Sequence, residues 1–79
     1  MNVQQLVNQA ITNSKTKSAG RYTFTDLLNS GQFPFDTPKD IRTKSEIEFY
    51  NVVQQGLIPN ISLIKKEKDE DKQAYYKID

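Results

Sequence analysis

Residues 43–56 read TKSEIEFYNVVQQG, and this stretch decides the fold. Thr43 followed three residues later by Glu46 has the spacing of a capping box, which predicts a helix beginning at Thr43 or one turn earlier. Gly56 suits the left-handed backbone that follows a helix, and Pro59 prevents continuation. At about 100° per residue, the apolar side chains cover a broad arc around this helix. We therefore expect a core built around a mid-chain helix that contributes Ile47, Phe49, Tyr50, Val52 and Val53.

The residues before this stretch contain another helix-start signal. Thr37 can cap a helix, Pro38 has the fixed φ that suits the first helical position, and Asp40 favours the positive helix end. This helix either ends near Arg42 or continues into the one predicted from Thr43, and the sequence leaves both alternatives open.

The segment Phe33-Pro34-Phe35 is predicted to cross the domain in extended form, because a residue before proline is pushed out of the helical region. Large aromatic side chains dominate small cores. We therefore interpret Phe33 and Phe35 as core residues, in preference to exposed platforms for base stacking.

The N-terminal region predicts an amphipathic helix followed by a basic loop. The spacing of apolar residues places the helix from about Asn2 to about Asn13. Residues 14–20 are small, polar and basic, which is typical of a loop whose charges can meet a partner. Lys17 and Arg21 belong to a region of 25 residues that contains no acidic side chain. The apolar stripe of the helix consists of Val3, Leu6, Val7, Ala10 and Ile11.

A short strand and a short helix are predicted next. Residues 21–24 (RYTF) are rich in β-forming residues and predict a brief edge strand. Thr25 or Asp26 can cap a second helix of about two turns, which residues 29–31 would end. The apolar residues of this helix are Leu27 and Leu28.

The C-terminal residues predict a β-hairpin with a charged tip. Apolar and polar residues alternate on both sides of the run KKEKDEDK, residues 65–72. A lone hairpin is unstable in water, so it needs the strand from Tyr22 to Phe24 beside it and the central helix beneath it. Alternation sends Ile61, Leu63, Tyr76 and Ile78 to the core face, and Ile64, Lys66, Tyr75 and Lys77 to the opposite face.

The composition limits the class of protein. With 79 residues and 35% apolar residues, the chain supports one small domain, residues 1–79. Histidine and cysteine are absent, so the usual general base, soft-metal ligands and thiol nucleophile are missing. We therefore predict a protein that is not an enzyme and that needs no cofactor. The lack of cysteine and of any signal or bilayer-spanning segment predicts a cytoplasmic protein with no membrane partner.

The predicted order of elements is a helix, a short strand, two helices and a terminal β-hairpin. This is the order of a winged helix-turn-helix domain, an α+β fold in which the hairpin forms the wing.

Cations near the predicted loop, helix starts and hairpin are candidates for DNA binding. Helix N-termini favour phosphate, and on the hairpin an aromatic ring can stack bases while lysines follow the backbone. The alternative is a solvated hairpin face whose lysines are balanced by acids, since the net charge is only +1. The acidic run Asp69–Asp71 lacks the spacing of a calcium loop, so no metal site is predicted. The candidates are Arg21, Lys39, Arg42, Lys44, Lys65, Lys66, Tyr75 and Lys77.

The polar stripe of the central helix is a separate candidate, for duplex DNA. It consists of Lys44, Glu48, Asn51 and Gln55. The amides of Asn51 and Gln55 can pair with adenine in a major groove, but Glu48 would repel phosphates. We therefore favour a solvated helix face over groove binding.

Four segments resemble a known family: FTDLL at residues 24–28, IRTKSEIEFYNVVQQG at 41–56, IPNISLIKK at 58–66 and AYYKI at 74–78. They are similar to a small domain, formerly of unknown function, that is carried by mobile elements of Gram-positive bacteria. Proteins of this family encoded beside helicase and polymerase genes on cassette-chromosome elements resemble winged-helix single-stranded-DNA-binding proteins. The resemblance covers about Tyr22 to Ile78.

The resemblance implies a protein that binds single-stranded DNA during replication or transfer of a mobile genetic element. It implies a helicase or polymerase encoded by the same element as a protein partner. The alternatives are a transcription regulator of winged-helix type that binds double-stranded DNA, and a protein-interaction adaptor in a replication complex. The DNA-contacting residues that the resemblance carries over are Arg42, Lys66, Tyr76 and Lys77.

Overall fold

The computed structural model describes residues 2–64 and 75–79. It is a small α+β domain of two helices and one three-stranded antiparallel sheet. No helix among these residues has the length and apolar character needed to cross a bilayer. The elements in chain order are α1 (Val3–Ser14), β1 (Gly20–Tyr22), two 3₁₀ turns (Thr25–Leu27 and Asn29–Gly31), α2 (Lys39–Gln54), β2 (Ile61–Leu63) and β3 (Tyr76–Ile78).

Helix α1 confirms the predicted N-terminal helix and its apolar stripe. Asn2 caps it by accepting a hydrogen bond from the Gln5 N–H at 2.9 Å, and the Gln5 side chain accepts one from the Asn2 N–H at 2.9 Å. This capping box satisfies two backbone donors that a helix start leaves unpaired. The stripe faces the core, with Leu6, Val7 and Ala10 buried and Val3 and Ile11 partly buried.

The predicted second helix is wrong. Two 3₁₀ turns occupy its place, and Leu28 between them has an extended ψ of 160°. The predicted caps also differ, because the Thr23 hydroxyl accepts from the Asp26 N–H at 3.3 Å while the Asp26 carboxylate accepts from the Thr23 N–H at 3.0 Å. Side chains of α1 bind the backbone here: Asn13 donates to the Leu27 carbonyl at 2.8 Å. This long-range bond satisfies a backbone carbonyl that a continuous α-helix would pair internally.

Helix α2 begins earlier than the capping box predicted. Pro38 is its N-cap, so the helix that starts at TPKD runs on through Thr43, which was one of the two alternatives. The Thr43 hydroxyl donates to the Lys39 carbonyl at 3.1 Å inside the helix. The Thr37 hydroxyl donates to the Pro34 carbonyl at 2.6 Å and does not cap α2.

The end of α2 is where the sequence predicted it. Gly56 has a φ of 75°, and its N–H donates to the Val53 carbonyl at 3.0 Å. The Leu57 N–H donates to the Val52 carbonyl at 3.3 Å. This pair of bonds is a Schellman motif, which needs a residue that adopts left-handed backbone without a Cβ penalty.

The sheet confirms the predicted strand pairing. Strand β3 lies in the centre, with β1 on one side and β2 on the other, and both pairs are antiparallel. Ile61 lies opposite Ile78, and Leu63 lies opposite Tyr76. Tyr22 lies opposite Tyr76 from the other side. The hairpin therefore has the predicted core face. Its partner strand is Gly20–Tyr22, one residue earlier than the predicted start, and it ends before Phe24, whose backbone is helical with a φ of −57°.

The core between the helices and the sheet contains a row of aromatic rings among aliphatic side chains. Phe49 of α2 lies 5.0 Å from Phe24 and 4.8 Å from Tyr76, measured between ring centroids. Phe24 lies 6.0 Å from Phe33, which is partly buried as predicted. The buried apolar residues are Leu6, Val7, Ala10, Phe24, Leu27, Leu28, Phe49, Val53, Ile58, Ile61, Tyr76 and Ile78.

Two predicted core residues lie at the surface. Phe35 is 95% exposed, because the turn from Pro34 to Thr37 carries it away from Phe33. Ile47 is 55% exposed and lies on the side of α2 opposite Phe49. The apolar arc of α2 is therefore narrower than predicted. The predicted hairpin tip, with Lys65, Lys66 and the acidic run Asp69–Asp71, falls outside the described residues.

Candidate nucleic-acid interface

The face of the sheet that points away from the core carries the strongest group of candidate residues. Side chains alternate along a strand, so the buried Tyr76 and Ile78 place Tyr75 and Lys77 on the other face. Arg21 lies opposite Lys77, and Ser62 lies opposite Lys77 from the other side. The Ile64 N–H donates to the Tyr75 carbonyl at 3.0 Å, so Ile64 continues this face. We define Arg21, Ser62, Ile64, Tyr75 and Lys77 as the outer sheet face.

A cation and an aromatic ring are in contact on the outer sheet face. The Arg21 guanidinium carbon lies 4.8 Å from the centroid of the Tyr75 ring, within the range of a cation–π interaction. Arg21 and Lys77 are exposed, and Tyr75 is half-buried. Register brings the three residues together from strands that are more than 50 positions apart in sequence. This arrangement can bind a phosphate beside a stacked planar group.

Lys17 lies beside the Tyr22 ring, which strand alternation places on the core side of the sheet, and it was not among the predicted site residues. Its Nζ lies 6.0 Å from the centroid of the Tyr22 ring in β1, which is an edge strand. The Tyr22 hydroxyl donates to the Ser18 carbonyl at 2.8 Å and ties the loop to the strand. The signal that could have found Lys17 is the acid-free N-terminal region, which groups it with Arg21.

Tyr76 does not belong to the interface. It is 1% exposed, and its ring packs edge-on against Phe49. Burial raises the pKa of the Tyr76 hydroxyl, and the nearby charges of Glu46 and Tyr50 add to this effect. The alternation of the strand predicted this core position, and the resemblance assigned the same residue to DNA contact. A ring without exposed surface offers nothing on which a base could stack.

The candidate cations of α2 lie apart from the outer sheet face. Helix α2 packs against the inner face of the sheet through Phe49, so the sheet separates Lys39, Arg42 and Lys44 from Arg21. Arg42 lies near Glu46: partial burial raises the pKa of the Glu46 carboxyl, and the Arg42 charge partly opposes this. The structure therefore brings together Arg21, Tyr75 and Lys77, and places Lys39, Arg42 and Lys44 elsewhere.

Arg42 lines an open cavity of about 450 Å³ beside the Phe33-Pro34 segment. Asp36, which lines the same cavity, has a left-handed φ of 69°. A guanidinium in a cleft can bind an anion, but the Asp36 carboxylate reduces the positive potential there.

The polar stripe of α2 is exposed over its whole length. Lys44, Glu48, Asn51 and Gln55 each lie about 100° or more around the helix from the buried Phe49. The two 3₁₀ turns leave α2 without the preceding α-helix that positions a recognition helix in a helix-turn-helix.

Within residues 2–64 and 75–79, no group of three or more histidine, cysteine, aspartate or glutamate side chains is placed to hold a metal ion. Comparison of the chain with protein-family models, curated protein sequences and solved structures finds no match. The geometry of the surfaces described above therefore carries the functional inference.

Proposed function

We propose that this protein is a non-enzymatic, single-stranded-DNA-binding protein that acts through the outer sheet face. The observation that carries the proposal is the contact between the Arg21 guanidinium and the Tyr75 ring, 4.8 Å apart, with Lys77 opposite Arg21. Unpaired bases can stack on a ring, while neighbouring cations neutralise the phosphates. Such a combination favours single strands, because the bases of a duplex are already stacked.

The outer sheet face, as defined above, supplies two cations, Arg21 and Lys77, which sets limits on the mode of binding. Net charge is only +1, so long-range attraction to DNA is weak and local contacts have to contribute most of the affinity. The exposed Asp79 lies two residues beyond Lys77 and lowers the positive potential at one end of the face. We expect modest affinity, a salt dependence set by the few phosphates that Arg21 and Lys77 neutralise, and a large contribution from stacking on Tyr75.

The order of the elements supports a winged-helix interpretation of the fold. A helix, a strand, a long helix and a strand pair follow one another, and β1 pairs with the second strand of the hairpin. The 3₁₀ turns occupy the place of the second helix of that fold. Under this proposal the protein acts in replication or transfer of a mobile genetic element, with a helicase or polymerase of that element as its protein partner.

The test is fluorescence anisotropy with labelled oligo-dT and a duplex of equal length, at about 50 and 200 mM salt. We expect tighter binding to the single strand. Arg21→Gln with Lys77→Gln should reduce the slope of log affinity against log salt by about 0.7 for each phosphate that the variant no longer neutralises. Tyr75→Ala should cost about 1–3 kcal/mol of binding free energy.

Lys44→Gln is the matched control, because it removes an exposed cation from α2 and leaves the outer sheet face unchanged. Wild-type affinity in the double variant, or equal affinity for duplex and single strand, would contradict the proposal. Loss of duplex binding on changing Lys44, Asn51 and Gln55, which form an exposed stripe, would favour the transcription-regulator alternative instead. Co-purification with a replication enzyme without salt-sensitive DNA binding would favour the adaptor alternative.

A further inference from the structure

A second surface, which shares no residue with the outer sheet face, presents an exposed aromatic ring beside a cavity. Phe35 is 95% exposed and borders an open cavity of about 340 Å³. Phe33 and Pro34 contribute apolar side chains to this cavity, and the polar residues Gln9, Asn29, Ser30 and Gln32 complete its lining. Its volume lies at the lower end of the range for ligand sites, roughly 300–1,000 Å³. We name it the Phe35 cavity.

The loop that carries Phe35 is held by specific bonds. The Pro34 carbonyl accepts from the Thr37 N–H at 3.2 Å and from the Thr37 hydroxyl at 2.6 Å. The Asn29 N–H donates to the Gln9 side chain at 3.1 Å, which ties the other side of the cavity to α1. Ser30 and Asp36 have left-handed φ values of 64° and 69°. Such backbone is costly for residues other than glycine and marks segments whose geometry the surroundings fix.

The Phe35 cavity has a neighbour whose lining includes the Arg42 guanidinium and the Asp36 carboxylate. Gln32, Phe33 and Pro34 also line the cavity that contains Arg42, so the two cavities share a wall. An aromatic ring, side-chain amides and a guanidinium one wall away are the three kinds of group that recognise a nucleotide: ring for base, amides for base edge, guanidinium for phosphate.

We propose that the Phe35 cavity binds one unpaired nucleobase, which stacks on the Phe35 ring with its edge toward the amide of Gln32. The phosphate beside this base binds Arg42. This inference rests on the proposed function and adds a second contact point for the same single strand. The Phe35 ring alone would stack on every base, so a preference for one base comes from the Gln32 amide.

The composition of the surface favours a base over a protein partner. The fully buried centre of a protein-docking patch is more apolar than the rest of the surface, whereas Phe35 stands beside Gln9, Asn29 and Gln32. A single ring with a polar rim matches the size and the donor and acceptor groups of a base.

The test uses the full chain and an oligo-dT that contains one 2-aminopurine, whose fluorescence falls when it stacks. With the wild type we expect quenching and binding. Phe35→Ala should weaken binding by roughly 5- to 150-fold and reduce the quenching, while Phe35→Trp should retain both. The salt slope of Phe35→Ala should equal that of the wild type, because the substitution leaves every phosphate-binding cation in place.

Ile47→Ala is the matched control, since Ile47 is also an exposed apolar residue but lies on α2. A phosphodeoxyribose chain without bases is the second control, and on it Phe35→Ala and wild type should bind equally. If Phe35→Ala lost as much affinity for this base-free chain as for oligo-dT, the inference would be overturned. The inference would also be overturned if Phe35→Ala bound oligo-dT with the affinity of the wild type. This conclusion holds even if the same variant loses binding to a purified helicase.

The two proposals fail in different ways. If Arg21→Gln with Lys77→Gln weakens binding while Phe35→Ala does not, the proposed function stands and the base-binding cavity is refuted. If the wild type binds no single strand, both are refuted.

Discussion

Two adjacent tyrosines show how strand alternation separates surface from core. Tyr75 lies on the outer sheet face against Arg21, and Tyr76 lies on the inner face against Phe49. One position along the chain reverses the side of the sheet on which a ring lies. The buried hydroxyl of Tyr76 has a pKa above its ordinary value, because burial and the charges of Glu46 and Tyr50 disfavour the phenolate.

This pKa shift predicts a loss of stability at alkaline pH. Above pH ~10 the unfolded chain ionises Tyr76 while the folded protein does not, so unfolding releases a proton and stability falls as pH rises. The slope is up to about 1.4 kcal/mol per pH unit. Tyr76→Phe should remove this slope, as measured by urea unfolding between pH ~8 and ~11.

Glu46→Gln provides the comparison for that experiment. It removes one of the charges that raise the pKa of Tyr76, so the slope should persist over a narrower pH window than in the wild type. If the free energy of unfolding fell equally with pH in the wild type and in Tyr76→Phe, ionisation of the Tyr76 hydroxyl would not be the cause of the loss of stability.

The two phenylalanines of the Phe33-Pro34-Phe35 segment show what sequence reasoning could not decide. Both rings were predicted to lie in the core, because large aromatic side chains dominate small cores. The turn closed by the Thr37 bonds to the Pro34 carbonyl, with left-handed backbone at Asp36, ends the extended course of the segment. Phe33 stays against Phe24 and Phe35 becomes exposed. Left-handed backbone at an aspartate carries no reliable sequence signal.

At the scale of elements, predictions from local periodicity are confirmed and a prediction that ignored distant partners is wrong. The stripe of α1 and the alternation of the hairpin depend on residues a few positions apart. The prediction of a second helix is wrong because the Leu27 carbonyl accepts a hydrogen bond from Asn13 and the Asn29 N–H donates one to Gln9, both residues of α1. Those partners lie more than ten positions away, so no local pattern could reveal them.

The end of α2 supports a prediction about backbone conformation. Gly56→Ala should destabilise the protein by about 1–2 kcal/mol, because an alanine Cβ is unfavourable at a φ of 75°. Urea unfolding measures this change in the free energy of unfolding.

Gly20→Ala is the matched control for Gly56→Ala. A Cβ at Gly20 would lie 3.6 Å from the Tyr22 ring, which is ordinary van der Waals contact, so we expect a change within about 0.5 kcal/mol. Equal effects at the two glycines would contradict the assignment of the Schellman motif.

At the scale of the whole molecule, the candidate interface depends on long-range assembly. Arg21, Tyr75 and Lys77 were each predicted as site residues, but their contact comes from the pairing of β1 with β3. Composition identified the cations, and alternation identified the face. The division between the outer sheet face and the cations of α2 depends on which side of the sheet the helix covers. That depends on packing of Phe49 against Tyr76, which the order of elements alone does not specify.

The row of aromatic rings in the core supports a prediction about stability, because the Phe49 ring contacts a ring on each side. Phe49 is fully buried and contacts both Phe24 and Tyr76. Phe49→Ala should cost about 3–5 kcal/mol, which equals most of the stability that a domain of this size has. Ile47→Ala, two residues away on α2, should change stability by less than about 0.5 kcal/mol because Ile47 is 55% exposed.

Phe49→Leu keeps an apolar side chain at the junction and should retain the fold with a smaller loss, which keeps the measurement possible when Phe49→Ala unfolds. Urea unfolding followed by circular dichroism distinguishes the three variants. Similar small losses at residues 47 and 49 would mean that the ring contacts of Phe49 contribute little. The attachment of α2 to the inner face of the sheet would then depend on buried contacts other than those of the Phe49 ring.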